Sequence, residues 1–101
     1  RDKSSSDFEL IQLARYYQEL EKYKKAEEIF NLIINKPNVG SYNRAITNYY
    51  AALLYHKSGK HEKAKEHLRF SLETWKDADD DYVFANMAKA TSQEWKVEIL
   101  N

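Results

Sequence analysis

At 101 residues the chain suffices for one small domain with a single core, and 16 Lys and Arg against 16 Asp and Glu leave it formally uncharged. Zero net charge removes the long-range attraction that nucleic-acid and anionic-membrane binders exploit. The lack of cysteine excludes a disulfide framework, a thiolate nucleophile and a cysteine-based zinc site. The redox compartment is therefore not legible, and the cytoplasm is the default. The apolar run YYAALLY (49–55) is far shorter than the ~20 residues of a membrane span.

The chain opens RDKSSSD, without an initiating Met or the apolar core of a secretory signal, as expected of a processed form or a piece cut from a longer protein. Residues 1–6 read as a disordered or tag-proximal N-terminus, and 7–101 as one domain. With 2 Gly and 1 Pro beside abundant Leu, Ala, Glu and Lys, helices joined by short loops are expected.

Ser6 followed by Glu9 has the reciprocal capping pattern of a first turn, so a helix should start at about Asp7. Phe8, Leu10, Ile11, Leu13, Ala14, Tyr17 and Leu20 recur at spacings of three and four, as one buried helix face requires. LEKYK (20–24) breaks this helix, and Ala26, Ile29, Phe30 and Ile33 form a second stripe that ends before Pro37. In the loop NKPNVGS (35–41), Gly40 is free to take positive φ and Ser41 is placed to cap a third helix over about 42–57.

SGK (58–60) supplies a C-cap glycine, and a fourth helix follows with Ala64, Leu68 and Leu72 inward. The acidic run DADDD (77–81) is expected to open a fifth helix, where carboxylates complement the helix dipole, with Phe84, Ala88, Thr91, Trp95 and Ile99 as its stripe.

Superposing Tyr17 on Tyr55 also superposes Ala14 on Ala52, Ala26 on Ala64 and Phe30 on Leu68, each at an offset of 38 residues. The run Leu10-x-x-Leu13-Ala14-x-x-Tyr17, then Ala26-x-x-x-Phe30 and Pro37, resembles a tetratricopeptide repeat. The second copy offers Ala51-Ala52-x-x-Tyr55, Gly59 and Ala64-x-x-x-Leu68, but has Asn48 for a large apolar residue and Trp75 for the closing proline. A third start is visible in Phe84-x-x-Met87-Ala88-x-x-Thr91. The offset exceeds the family's period of about 34, and the extra residues fall in the connection over 38–43.

The resemblance implies an all-α helix-turn-helix solenoid: repeat 1 over about 7–37, repeat 2 over about 42–76, and a closing helix over about 80–100. It also implies a non-catalytic module that binds a peptide or partner helix on a concave face lined by the first helix of each pair. The family's groove positions fall on Phe8, Ile11, Arg15 and Gln18, on Ile46, Tyr49, Leu53 and His56, and on Tyr82, Ala85 and Lys89 in the fifth helix. That surface is expected to be apolar and aromatic with basic edges, suited to a segment with acidic flanks. Ile11, Tyr49 and Tyr50 stand where a chaperone-tail clamp needs polar donors.

No cofactor, nucleic acid or membrane span is expected. His56, His61 and His67 straddle a turn rather than sharing a helix face as a metal pair would. Asp77, Asp79 and Asp81 begin like a calcium loop but meet Tyr82 and Ala88 where that loop needs Gly and Glu. No phosphate loop or nucleophile constellation is present. Alternatives are a peptide-sensing or oligomerisation domain of a larger regulator, a small helical enzyme using His56 or the Tyr49–Tyr50 pair, or an RNA-binding bundle. Val83, Met87, Ala90 and Val97 are expected on an outer face of the last helix, open to self-association or to further solenoid.

Overall fold

The computed structural model describes residues 3–97, with side chains from Asp7 onward. Among them are five α-helices: α1 (Lys3–Glu19), α2 (Tyr23–Ile34), α3 (Ser41–Lys57), α4 (His61–Thr74) and α5 (Val83–Trp95). α1 packs on α2 and α3 on α4; α3 joins the two hairpins through α2 and α1, and α5 packs on α4.

Close approach within each hairpin follows from four small side chains. Ala14, Ala26, Ala52 and Ala64 are all fully buried, and Phe30, Ile33 and Leu68 fill the space beside them. Each large apolar side chain so buried contributes about 2 kcal/mol.

The repeat extends to the backbone. After α1, the amide of Glu21 donates to the Gln18 carbonyl at 3.0 Å and that of Lys22 to Tyr17 at 2.8 Å, with Glu21 at φ 60°. After α3, Gly59 donates to His56 at 3.2 Å and Lys60 to Tyr55 at 2.8 Å, with Gly59 at φ 83°. Both are Schellman turns, in which a left-handed residue lets the chain satisfy the last helix carbonyls. Glycine adopts that conformation freely, whereas Glu21 adopts it at a cost.

Side chains fasten one hairpin to the next. The Arg44 guanidinium, in the first turn of α3, donates to the Ile34 carbonyl and, at 2.9 Å, to that of Lys36, capping the end of α2. At the same end of the first hairpin, buried Asp7 accepts from Lys36 Nζ at 2.6 Å and ties the early part of α1 to the residues after α2.

Several boundaries differ from the sequence reading. α1 begins at Lys3, so Ser6 lies inside the helix rather than at its N-cap, and 3–6 are helical; Arg1 and Asp2 lie outside the described residues. Gly40 sits at φ −62°, ψ 154° and is itself the N-cap, so its conformational freedom is unused and Ser41 is already helical.

The acidic run 77–81 is loop, not helix start: α5 begins only at Val83, with no acid in its first turn. Asn86 Nδ2 reaches back to the Asp80 carbonyl at 2.8 Å and fixes the loop there. α5 stops at Trp95, where Lys96 turns left-handed at φ 57° and Val97 donates to the Ser92 carbonyl at 2.9 Å. Val97 therefore folds inward and is buried, leaving Val83 and Ala90 exposed on the outer face, while Met87, also exposed, borders the concavity between α1, α3 and α5. Ile99 lies outside the described residues. Trp75, in place of the closing proline, is 1% exposed and packs against Tyr82 and Phe84 at centroid distances of 5.6 and 6.2 Å.

Candidate functional site: the concavity between α1, α3 and α5

Alternation of hairpin helices places α1, α3 and α5 on one side, and their later turns enclose a concavity of about 600 Å³. Glu19, Lys57 and Trp95, the last residues of the three helices, all line it. Tyr50 and Leu53 of α3 also line it. The Arg15 guanidinium lies 4.3 Å from the Tyr50 ring centroid, a cation–π distance, and Nη1 donates to Gln12 Oε1 at 3.1 Å. Burial pushes the Tyr50 phenol above its ordinary pKa, with Arg15 opposing.

α5 forms the second wall. Tyr49 Oη and Thr91 Oγ1 share a hydrogen bond of 3.2 Å, and the Trp95 ring stacks on His56 at 4.2 Å with only 5° between planes. His61 meets His56 edge-on at 4.8 Å.

Of the residues placed in the groove by sequence, Arg15, Gln18, Leu53 and His56 come together here. Ile11, Ile46, Tyr49 and Ala85 are in the core, at most 5% exposed. For Ile46 and Tyr49 the reason is that α3 is covered on several sides at once, so residues 45–52 are all buried and few of its positions can face a ligand, while Ile11 of α1 and Ala85 of α5 join the same core cluster. Phe8 is 42% exposed but lies outside this concavity. Tyr82 packs on Tyr42 at 5.2 Å ahead of α5, and Lys89 is exposed on α5 away from the lining.

Met87, Glu94 and Trp95 were not expected in the lining. The α5 spacing 87, 91, 94, 95 carries them on one face, a signal masked by assigning Trp95 to the inward stripe. The expected basic edges are also corrected. Glu19, Glu21 and Glu94 stand beside Arg15 and Lys57, so carboxylates outnumber cations.

The polar departures of the second repeat satisfy one another. Asn48 Nδ2 donates to the Arg44 carbonyl at 2.8 Å, and its Oδ1 accepts from His67 Nδ1 at 2.7 Å. The His67 ring stacks on Tyr55 at 5.2 Å, and burial holds its pKa below the ordinary value. Among the described residues, no group of three or more His, Asp or Glu is placed to hold a metal. A second, more apolar concavity of about 710 Å³, lined by Leu10, Leu32, Ile33 and Lys36, opens beside α1 and α2.

Two antiparallel helix hairpins, with small residues at each crossing and the first helices lining a concave side, define a tetratricopeptide-repeat domain. The family described as the SusR N-terminal TPR domain matches residues 2–72, and the chain belongs to that family. Domains of this kind are protein-interaction modules, typically without catalysis. No curated protein and no solved structure matches the chain. No helix among the described residues is long and apolar enough to cross a membrane.

Proposed function

We propose that this domain is a non-catalytic module that binds a peptide or partner helix in the concavity between α1, α3 and α5. The carrying observation is that Arg15, Gln18, Leu53 and His56, drawn from two repeats, line one cavity that α5 completes with Met87 and Trp95. Aliphatic and aromatic surface ringed by polar groups is the composition of a peptide groove. α5 is held on α3 by side chains, the Tyr49–Thr91 bond and the His56–Trp95 stack, which tie the two walls of the cavity together.

Selection of a random peptide library on the folded domain tests this reading. Retained peptides should lose binding to Leu53→Asn and keep it with Leu32→Asn, which alters the second concavity. Peptides that ignore Leu53→Asn and are lost with Leu32→Asn would move the site to α1 and α2.

A further inference from the structure

Three carboxylates stand where helix electrostatics disfavours them. Glu19 ends α1, Glu21 sits in the turn after it, and Glu94 is in the last turn of α5; neither helix has a basic residue in its last turn. A helix C-terminus carries roughly half a negative charge, which ordinarily selects Lys, Arg or His there. Here the ends of α1, α3 and α5 meet at one cavity; only α3 has basic residues in its last turn, His56 and Lys57, and α1 adds Arg15 one turn before its end.

None of the three carboxylates is in an ion pair. The pairs among the described residues lie elsewhere, at Asp7–Lys36, Glu62–Lys65 and Glu73–Lys76. Arg15 shares the cavity, but its guanidinium is engaged by the Tyr50 ring and Gln12. Three exposed acids gathered at the ends of two helices, unpaired, raise the energy of the free domain. Such local conflicts concentrate at functional sites, and a ligand of opposite charge relieves this one.

We infer that the segment docked in the groove is basic and amphipathic: Lys or Arg side chains for Glu19, Glu21 and Glu94, and an aliphatic side chain against Leu53 and Met87. This rests on the groove reading above and gives its ligand a chemistry. Complementary charge would steer encounter and set specificity, while the apolar contact supplies affinity.

The test uses two labelled peptides of identical apolar pattern, LKKLLKK and LEELLEE, followed by fluorescence anisotropy. The wild-type domain should bind the lysine peptide about tenfold more tightly than the glutamate peptide. The triple variant Glu19→Gln, Glu21→Gln, Glu94→Gln, checked for helicity, should bring the ratio within about twofold. Equal or reversed preference in the wild type, a preference that survives the triple variant, or no binding of the lysine peptide at about 1 mM overturns the inference. If Leu53→Asn weakens both peptides while the glutamate peptide is preferred, the groove stands and only its charge assignment falls. If Leu53→Asn affects neither, both fall.

Discussion

The phenol of Tyr55 donates to Glu27 Oε2 at 2.8 Å, so the tyrosine that marks the second repeat is fastened to α2 of the first. Its ring lies on His67 of α4, and Lys63 Nζ sits 4.7 Å from its centroid. One side chain thus joins α2, α3 and α4. Tyr55→Phe keeps the ring and removes the bond, and should cost about 1 kcal/mol in urea unfolding, against about 3–5 for Tyr55→Ala. Equal losses from the two variants would show that the hydroxyl carries the contribution rather than the packing.

Alkaline pH should weaken the fold through the same residue. Burial, then the bond to Glu27, push the Tyr55 phenol far above its ordinary value of 10.0, and burial also raises Tyr50 and Tyr82. A raised folded-state pKa gives a contribution that is complete below the unfolded value and is lost as pH rises beyond it. Stability should therefore fall above about pH 10. Tyrosine absorbance should show groups that ionise only together with loss of helical circular dichroism.

Acid acts through His67 with the opposite sign. Burial first, and Lys63 second, hold its pKa below 6.5, so its contribution is present above that value and lost as pH falls. Protonation adds a cation near Lys63, opposed by Glu66 on the same helix and with Glu27 at the Tyr55 hydroxyl. Comparing wild type with His67→Gln, the difference in stability should shrink between pH ~7 and ~5. A constant difference would remove His67 from the acid response.

The two left-handed residues that are not glycine offer a gain. Glu21→Gly and Lys96→Gly should each stabilise by about 0.5–1 kcal/mol, because only glycine enters that region without a Cβ penalty. Gly59→Ala should destabilise by about 1 kcal/mol for the same reason, although a Cβ there would meet nothing within 4 Å. Thermal melts of the three variants decide the matter.

Glu19→Gln and Glu94→Gln should each raise stability by about 0.3–1 kcal/mol, since a carboxylate at a helix C-terminus opposes the dipole. The gain should shrink in high salt. Loss of stability in either variant would mean that the carboxylate has a favourable partner and is not held against the helix field.

The hairpins were legible in sequence because a helix crossing demands small residues, and Ala14, Ala26, Ala52 and Ala64 recur at fixed separations where those crossings lie. The groove was legible only in part. Period separates inside from outside best on a helix with few covered faces, and even on α1 it succeeded only in part: Arg15 and Gln18 reached the cavity, whereas Ile11 is core and Phe8 lies outside it. On α3, flanked by several helices, the same logic selected Ile46 and Tyr49, which are core, and Tyr50 took the lining position. The acids at 77–81 misled because acids before a helix and acids in a loop share a composition; Tyr82 and the Asn86 bond to Asp80 set the boundary. Asn48 looked like a defect in the repeat until His67, nineteen residues on, supplied its partner.

The central claim, a ligand lying across α1, α3 and α5, is tested most directly by titrating the isotope-labelled domain with a library-selected peptide and following its amide resonances. The account predicts that shifts concentrate at Gln18, Leu53, His56, Thr91 and Glu94, with the Trp95 indole signal moving alongside. Shifts confined to Leu10, Leu32 and Ile33 would place the ligand in the concavity beside α1 and α2 and contradict it.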